Sequence, residues 1–225
     1  MEFQGRREME KEERIDSFIE SMEEADPPFL QLLEKEASKE RVPIIRPRTK
    51  GLLRFMIEMA SPMEILEVGT AVGYSALVMD YYAPEGCHIT TIEKMEERIE
   101  KARENFEKYG ASERITLLEG DAGDILPSLT GPFDLIFMDA AKGQYIRFLP
   151  EVIRLLRPGG VLLSDNVLKE GEILESKFAV TRRNRTIHKR MREYLTAVSE
   201  DPHLRTVLLE TGDGAALSVR RQNTE

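Results

Sequence analysis

Two predicted strands end in side chains whose oxygen atoms could bind a hard metal ion. Asp139 follows the apolar segment 135–138, and the pair Asp165 and Asn166 follows the segment 161–164. The carboxyl ends of neighbouring parallel strands lie at one edge of a sheet, so these side chains should come together. Their oxygens suit magnesium, manganese or calcium better than zinc. Taken alone, Asp165 and Asn166 are typical of a helix cap or turn, but the match of two strand ends favours a metal site.

Acidic residues also end three earlier predicted strands, and a glycine-containing turn follows the first of them. These acids are Glu67, Glu93 and Asp121. The turn contains Gly69 and Gly73, but Ala71 occupies the middle glycine position of the dinucleotide fingerprint. Glu67 would fit poorly beside a pyrophosphate and well beside a cationic ligand with an amino group. The pattern therefore favours S-adenosylmethionine (SAM), which carries a sulfonium and an ammonium, over NAD and over a generic Rossmann-like turn.

An alternation of predicted strands and helices must position these side chains. The predicted strands are residues 63–68, 87–93, 115–119, 134–139, 161–164, 205–210 and 215–220. The predicted helices are residues 7–24, 29–33, 49–60, 74–82, 95–109, 145–156 and 185–199. We expect an α/β fold with a seven-stranded, mainly parallel sheet, an antiparallel last strand, helices on both faces and an N-terminal helical extension. One domain should span 1–225, with helices in 1–60 and the SAM-binding core in 61–221.

Composition and charge narrow the classes of function. Hydrophobic residues make up 41% of the 225 residues, which is enough for a sizeable core. No apolar run approaches the roughly 20 residues of a membrane span, and the N-terminal segment MEFQGRREMEKEER lacks the apolar stretch of a signal peptide. Cys87 is the only cysteine, which excludes an intrachain disulfide and a thiolate metal cage. We therefore expect a cytoplasmic protein without a membrane partner.

A basic segment stands out in a chain whose net charge is −9. Its basic residues, with no acid between them, are Lys177, Arg182, Arg183, Arg185, Lys189, Arg190 and Arg192. Three pairs among them are seven residues apart, so a continuous helix would place each pair near one face. Such a patch could bind a polyanion although the whole protein is acidic. We favour RNA over the alternatives, which are a solvated helix face and a dimer contact with the acidic N-terminal segment.

Three stretches of the chain resemble one enzyme family. They are ILEVGTAVGYSALVM, FDLIFMDAAKGQY and LRPGGVLLSDNVL, and the pairing of MDAAK with SDN is specific. The likeness extends over residues 40–220 and is to the cation-dependent class I O-methyltransferases of the catechol and caffeoyl-CoA type. This resemblance implies a Rossmann-like methyltransferase fold, SAM as cofactor and a divalent cation such as magnesium.

The resemblance also implies a role for each matching residue. The implied metal ligands are Asp139, Asp165 and Asn166. The implied SAM-site residues are Ile45, Glu67, Gly69, Ser75, Glu93, Asp121, Ala122 and Asp139. Lys142 matches the lysine that acts as general base, so Lys142 and Asp139 are the implied catalytic residues. From its position alone, Lys142 could equally be an exposed loop lysine.

Within that family the chain resembles the bacterial tRNA 5-hydroxyuridine methyltransferases, which form 5-methoxyuridine at the wobble position (U34). RRNRTIHKRMREYL and DPHLRTVLLETGDGAALSVRR carry this closer likeness. Tryptophan is absent and Ala140 and Ala141 follow Asp139, which suits a larger substrate than a snug catechol pocket would admit. The implied partner is a tRNA anticodon loop, and the candidate RNA contacts are Arg182, Arg183, Arg185, Lys189 and Arg190. The family is commonly dimeric.

The alternatives are an O-methyltransferase of small catechol-like or acyl-CoA phenolic substrates, and a non-catalytic cofactor-binding or RNA-binding module. The basic segment could equally meet the phosphates of coenzyme A. The intact set of Asp139, Lys142, Asp165 and Asn166 argues against the non-catalytic module.

Overall fold

A seven-stranded sheet forms the centre of the computed structural model, which describes residues 14, 15, 17–19, 21–168, 173–176, 180–182 and 184–222. The strands are β1 (Glu64–Val68), β2 (His88–Glu93), β3 (Ile115–Glu119), β4 (Phe133–Met138), β5 (Leu156–Ser164), β6 (Leu204–Leu209) and β7 (Ala215–Arg220). They lie in the order β3-β2-β1-β4-β5-β7-β6. Only β7 runs antiparallel to its neighbours, which are β5 and β6. The predicted sheet with its antiparallel last strand is therefore confirmed.

Helices cover both faces of this sheet. In the described part of the chain they are α1 (Pro28–Glu40), α2 (Pro47–Ala60), α3 (Tyr74–Tyr82), α4 (Glu96–Lys108), α5 (Ala122–Ile125), α6 (Tyr145–Leu155) and α7 (Arg185–Glu200). Pro28 and Pro47 occupy first-turn positions, where a backbone N–H would have no intrahelical partner. Helix α5 and two 3-10 turns, Leu126–Ser128 and Lys142–Gln144, were not predicted.

The predicted helix 7–24 lies only partly within the described residues. Residues 14, 15, 17–19, 21 and 22 are helical, and the helix ends before Glu23. Residues 7–13, 16 and 20 lie outside the described part of the chain, so the prediction is not tested there.

The start of β5 corrects a prediction. The sequence Arg157-Pro158-Gly159-Gly160 predicts a helix stop with a strand at 161–164, but β5 already begins at Leu156. The register with β4 shifts between Phe133 and Leu135, as in a β-bulge. Gly159 has a φ of 77°, which lets the strand make this irregular step. Residues that read as a helix stop therefore form the bulged start of a strand.

The core lies in two layers, one on each face of the sheet, and β4 contributes to both. Leu135 and Phe137 pack with the helices α1 to α4, whereas Ile136 and Met138 pack with α6 and α7. All four side chains have no exposed surface. Complete burial of such a side chain contributes about 1.5–3 kcal/mol. Burial on both faces fixes β4 in the middle of the sheet, and Asp139 is fixed with it as the next residue of the chain.

The strand order places a cleft at the carboxyl end of β1 and β4. The chain runs outward from β1 to β3 and then returns to β4 on the other side of β1, which makes a topological switch point where such sheets bind ligands. The ladder continues past the strands, because Asp139 N donates to Val68 O at 3.0 Å and Asp165 N donates to Met138 O at 3.0 Å. Across the described ranges, no helix combines the length and apolar character needed to cross a membrane.

Candidate active site

A cavity of about 370 Å³ opens at this edge of the sheet. Of the predicted cofactor-binding residues, those in its wall are Ile45, Gly69, Ser75, Glu93, Asp121, Ala122 and Asp139. Glu67 is not in the wall and is fully buried next to it, at the end of β1. The sequence therefore selected strand ends and a glycine turn that come together around one cavity.

The turn after β1 fits closely against the end of β4. Gly69 has a φ of 109°, and a Cβ atom there would overlap the carbonyl oxygen of Asp139. Gly73 has a φ of 84°, and a Cβ atom there would meet the Phe106 ring at 2.6 Å. Ala71 also adopts a positive φ of 46°, so the middle position of the turn needs the left-handed region although it is not glycine. Gly69 of the turn therefore lies against the backbone of Asp139. The carboxyl ends of β4 and β5, where the predicted metal ligands lie, are called the metal end below.

Glu93 fixes this turn against the neighbouring strand. Its Oε2 accepts a hydrogen bond from Ala71 N at 2.9 Å, and its Oε1 accepts bonds from Lys94 N at 2.9 Å and Met95 N at 3.0 Å. The carboxylate therefore accepts hydrogen bonds from the turn after β1 and from the segment after β2, which both line the cavity. Asp121 plays a similar part at the start of α5, where its Oδ1 accepts from Gly123 N at 2.9 Å and this bond lowers its pKa.

Glu67 is a buried carboxylate with unused hydrogen-bonding capacity. Its Oε2 accepts a hydrogen bond from Thr91 Oγ1 at 2.5 Å, whereas its Oε1 has no hydrogen-bond partner among the described residues. Burial is the main reason that the pKa of Glu67 is raised to about 7; hydrogen bonding with the hydroxyls of Ser75 and Thr91 opposes the rise, and the negative charges of Asp139 and Glu93 contribute to it. A buried charge of this kind is stabilised by a cationic donor, which is what the sequence predicted for Glu67.

The predicted metal residues lie together at the ends of β4 and β5. Asn166 Nδ2 donates to Asp139 Oδ1 at 3.2 Å. Asp165 Oδ1 accepts hydrogen bonds from Asn166 N at 2.7 Å and from Thr49 Oγ1 at 3.1 Å. Asp165 Oδ2 is buried and has no hydrogen-bond partner within the described ranges. Asn166 has a φ of 61°, a left-handed conformation that asparagine tolerates better than most residues.

The electrostatics of this pair favour a cation. Burial raises the pKa of Asp139 to about 7, and the charge of Asp165 adds to that effect. Burial also raises the pKa of Asp165, and the charge of Asp213 contributes to the rise. The described residues contain no group of three or more His, Cys, Asp or Glu side chains that could hold a metal ion. A metal here would thus be held by two carboxylates and an amide, and the buried unpaired Asp165 Oδ2 fits that use.

Lys142 and the basic helix α7 adjoin this end of the sheet. Lys142 begins the 3-10 turn after β4, and its charge opposes the rise in the pKa of Asp139. Arg190 Nη1 donates to the carbonyl oxygen of Gly143 at 3.3 Å, which holds α7 against that turn. The candidate RNA contacts with exposed side chains are Arg182, Arg185, Lys189 and Arg190. Arg183, another candidate, lies outside the described residues.

The seven-residue spacing places two residues near one helix face only where both lie on a helix, and the predicted helix 185–199 begins where it was expected. Helix α7 begins at Arg185, so Arg182 precedes it and cannot share a helical face with Lys189 in the predicted way. Of the three pairs, Arg185 and Arg192 both lie on α7. Among its described residues, the basic segment thus consists of Arg182 before the helix and Arg185, Lys189, Arg190 and Arg192 on it.

Several residues of the site gave no signal in the sequence. Tyr145 is fully buried, and its hydroxyl lies 3.0 Å from Met138 O and 3.1 Å from Asp165 O, so it joins the ends of β4 and β5. Thr49 reaches Asp165 from α2, 116 residues away in the chain. Asp213 stands out in the sequence only as part of the turn between β6 and β7. A local pattern cannot report these roles, because each depends on a long-range approach.

Comparison with known proteins gives a consistent result. A family model described as O-methyltransferase matches residues 20–221. A catechol O-methyltransferase of Niastella koreensis is 33% identical over 135 residues, covering 58% of this chain and 61% of that protein. A catechol O-methyltransferase of Mycobacterium tuberculosis is 32% identical over 164 residues, covering 71% of this chain and 74% of that protein. The SAH-bound methyltransferase of Podospora anserina superimposes with a TM-score of 0.85 at 27% identity, covering 95% of this chain and 96% of that one.

Proposed function

The chain belongs to this O-methyltransferase family, and we propose that it transfers the methyl group of SAM to a substrate oxygen at the carboxyl edge of the sheet. Asp139 carries the proposal. It lines the cavity of about 370 Å³, and it also accepts a hydrogen bond from Asn166 at the metal end. A methyl donor in the cavity and an acceptor oxygen at the metal end would therefore meet at one residue, as in-line transfer requires.

The cavity wall and the buried Glu67 beside it offer partners for each part of the cofactor. SAM supplies an electrophilic methyl group on a sulfonium, and the SAH-bound relative supports its use here. Glu67 Oε1 is the buried acceptor for a cationic amino group. Glu93 and Asp121 end the two strands on the far side of the cavity, where ribose hydroxyls and the adenine would lie. Ile45 adds an apolar side chain, 5% exposed, at the rim.

We propose Asp139, Asp165 and Asn166 as ligands of a divalent cation, with magnesium as the natural choice for oxygen ligands. Such a cation would supply Lewis acidity to two adjacent oxygens of the substrate. Thr49 and Tyr145 hold the metal residues through Asp165. Lys142 is the proposed base: as the neutral amine its Nζ would receive the proton of the acceptor hydroxyl, while the sulfur of the methyl donor keeps the electron pair of the broken S–C bond.

The substrate that we propose is 5-hydroxyuridine at the wobble position of tRNA, converted to 5-methoxyuridine. Its 5-hydroxyl and O4 are adjacent oxygens of the kind that the metal end would take. The bond from Arg190 to Gly143 supports this substrate, because it ties a basic helix to the turn that carries Lys142. An anticodon loop is single-stranded, so presenting its wobble base costs less than extracting one from a duplex. A tRNA substrate also implies a cytoplasmic reaction.

A second candidate substrate is a small catechol or an acyl-CoA phenol. Two relatives named catechol O-methyltransferase support it, at 33% and 32% identity. A catechol has two vicinal oxygens, so the same residues would serve both substrates. The surroundings of the site, not its chemistry, would discriminate between them.

We also propose that a second copy of the chain covers an apolar face near the N-terminus. The exposed apolar side chains there are Ile15, Phe18, Ile19 and Met22, with Phe55 and Met59 of α2 similarly exposed. Large exposed apolar patches are typical of protein interfaces, and these side chains are the candidates for one. Light scattering should give a dimer mass for the wild type and a monomer mass for a Phe18→Glu/Met22→Glu variant. A monomeric wild type would refute the proposal.

Nucleoside mass spectrometry tests the main proposal. Hydroxyuridine-containing tRNA is incubated with the protein, SAM and magnesium, and should gain 5-methoxyuridine in a reaction that EDTA stops. Conversion that persists in EDTA would refute the metal requirement. Catechol turnover without tRNA conversion would assign the protein to the small-molecule branch and leave the basic segment without an RNA role.

A further inference from the structure

The turn between β6 and β7 is fixed against the metal end by its backbone. Leu168 N donates to Asp213 O at 2.9 Å, and Val167 N donates to Gly214 O at 2.9 Å. These bonds hold the turn directly after the Asp165–Asn166 pair. Because they involve only main-chain atoms, a substitution of the Asp213 side chain removes neither bond.

The same turn packs against the start of α2. Arg46 Nη2 lies 3.0 Å from Asp213 Oδ2, in an ion pair whose aspartate side chain is only 11% exposed. A Cβ atom on Gly212, which has a φ of 56°, would lie 3.1 Å from Thr49 Oγ1. Thr49 in turn donates to Asp165 Oδ1. The turn, the start of α2 and Asp165 therefore form one contiguous group of contacts.

Two carboxylate oxygens in this group are buried without a partner. Asp213 Oδ1 and Asp165 Oδ2 make no hydrogen bond to any part of the chain that the structure describes, although Arg46 holds the other oxygen of Asp213. A buried unpaired acceptor costs about 1–3 kcal/mol, and more when it is charged. The charge of Asp213 acts on both Asp139 and Asp165. A ligand that brings positive charge and hydrogen-bond donors would satisfy both oxygens.

A hydrated cation has this chemistry. Asp213 forms no three-acid ligand group with Asp139 and Asp165 among the described residues, so it lies outside the direct ligand set. We propose that Asp213 is a positioning residue of the metal end, whose Oδ1 accepts a hydrogen bond from a water molecule on the cation. This inference rests on the metal site of the proposed function. Groups in this outer position commonly change metal affinity 10–100-fold.

If Asp213 only stabilised the fold through its ion pair with Arg46, removing either partner should affect metal binding equally. Two variants that break this ion pair therefore separate a structural role from a metal-positioning role. Asp213→Asn removes the charge that would act on the cation, whereas Arg46→Gln removes the same ion pair and leaves the carboxylate in place. Both variants should lose similar thermal stability in EDTA. Asp134→Asn is a matched control, because Asp134 makes an ion pair with Arg157 away from the metal end.

Binding of Mn²⁺ alone, followed by electron paramagnetic resonance of the free ion, separates the two roles. We expect Asp213→Asn to weaken Mn²⁺ binding about 10–100-fold. Arg46→Gln should bind at least as tightly as the wild type, and Asp134→Asn should not differ from it. Wild-type affinity in Asp213→Asn, or an equal loss in Arg46→Gln, would overturn the inference and leave the metal site standing. No Mn²⁺ binding by the wild type would instead overturn the metal site itself, and the inference with it.

Discussion

At the residue scale, the candidate site consists of acids that the fold buries before any ligand arrives. Asp165 is 1% exposed and Glu67 has no exposed surface, yet each keeps one carboxylate oxygen without a hydrogen bond to the described chain. Desolvation of these groups costs stability that paired ligands would restore. The two acids face different ligands in the proposal, a cofactor amino group for Glu67 and a cation for Asp165, so each can be tested separately.

Asp165→Ala should abolish turnover while largely sparing cofactor binding. Loss of about 3 kcal/mol of Lewis-acid stabilisation corresponds to a fall in kcat of roughly 100-fold or more. Isothermal titration with S-adenosylhomocysteine should give a Kd close to that of the wild type, because Asp165 is not in the cavity wall. Unchanged turnover in this variant would remove Asp165 from the metal assignment.

The buried Glu67 predicts a pH dependence of stability in the ligand-free protein. Its folded pKa is raised to about 7, whereas an exposed glutamate titrates at about 4.3. The unfolded chain therefore releases this proton at lower pH than the folded chain, and the free energy of unfolding falls as pH rises from about 4.3 to about 7.

Over the whole range Glu67 would contribute at most roughly 4 kcal/mol to that fall, of which about 2 kcal/mol lies between about pH 5.5 and about pH 8. Urea unfolding at about pH 5.5 and about pH 8 measures it. Glu67→Gln cannot ionise, so its loss of stability between the two pH values should be smaller than that of the wild type. Equal losses in both proteins would show that Glu67 is already ionised in the folded state.

At the element scale, one buried lysine joins the N-terminal helices to the cavity. Lys50 Nζ of α2 lies 2.5 Å from Asp26 Oδ2, 3.1 Å from Glu34 Oε2 of α1 and 3.2 Å from the Tyr74 hydroxyl of α3. Tyr82 of α3 donates to the second oxygen of Asp26 at 3.0 Å. Tyr74 also lines the cavity. The position of α1 and α2 over the sheet is thus coupled to the cofactor wall.

Lys50→Met should destabilise the protein by about 3–5 kcal/mol, because it leaves buried acid without its cation. Lys101→Met is the control. It breaks an exposed pair with Glu104 at 3.6 Å, which contributes at most about 1 kcal/mol. Chemical unfolding of both variants measures the difference. A Lys50 variant no less stable than the control would refute a structural role for this cluster.

The sequence predicted elements best where local signals mark both ends. Helix α3 begins and ends as predicted, because Gly73 precedes it and Ala83-Pro84 follows it. The predicted start of β5 was wrong, because glycine and proline mark a stop in one context and a bulge in another. The acids at the strand ends could be predicted because each lies at the end of a short apolar segment, which is a local signal. Thr49, Tyr145 and Asp213 were missed, because their contacts are set by the packing of α2, α6 and the last hairpin.

At the scale of the whole molecule, charge is divided between the two faces of the sheet. The chain is acidic overall, yet α7 and the loop before it present exposed basic side chains next to the turn that carries Lys142. Helix α4, on the opposite face, alternates acids and bases, such as Lys101 with Glu104. A polyanion would therefore be attracted to the basic side chains on the α7 side of the sheet, next to the metal end.

Arg182→Gln/Lys189→Gln should weaken tRNA use through the phosphate backbone. We expect a KM for tRNA raised about tenfold or more, an unchanged kcat, and a salt dependence of binding whose slope falls by about 2, one for each lost phosphate contact. Lys101→Gln/Arg103→Gln removes the same charge from α4 and should leave all three values unchanged. Equal effects in the two double variants would mean that net charge, not this surface, determines tRNA use.

The close contact between Gly69 and the carbonyl of Asp139 has a consequence for how such a protein can diversify. Main-chain contacts between adjacent strands hold the turn after β1 against Asp139, so the sheet sets the position of one relative to the other. In the proposed function α7 would meet the rest of the substrate, and it lies outside that contact. We therefore expect that substitutions in α7 can change the preferred acceptor while the contact between Gly69 and Asp139 stays as it is.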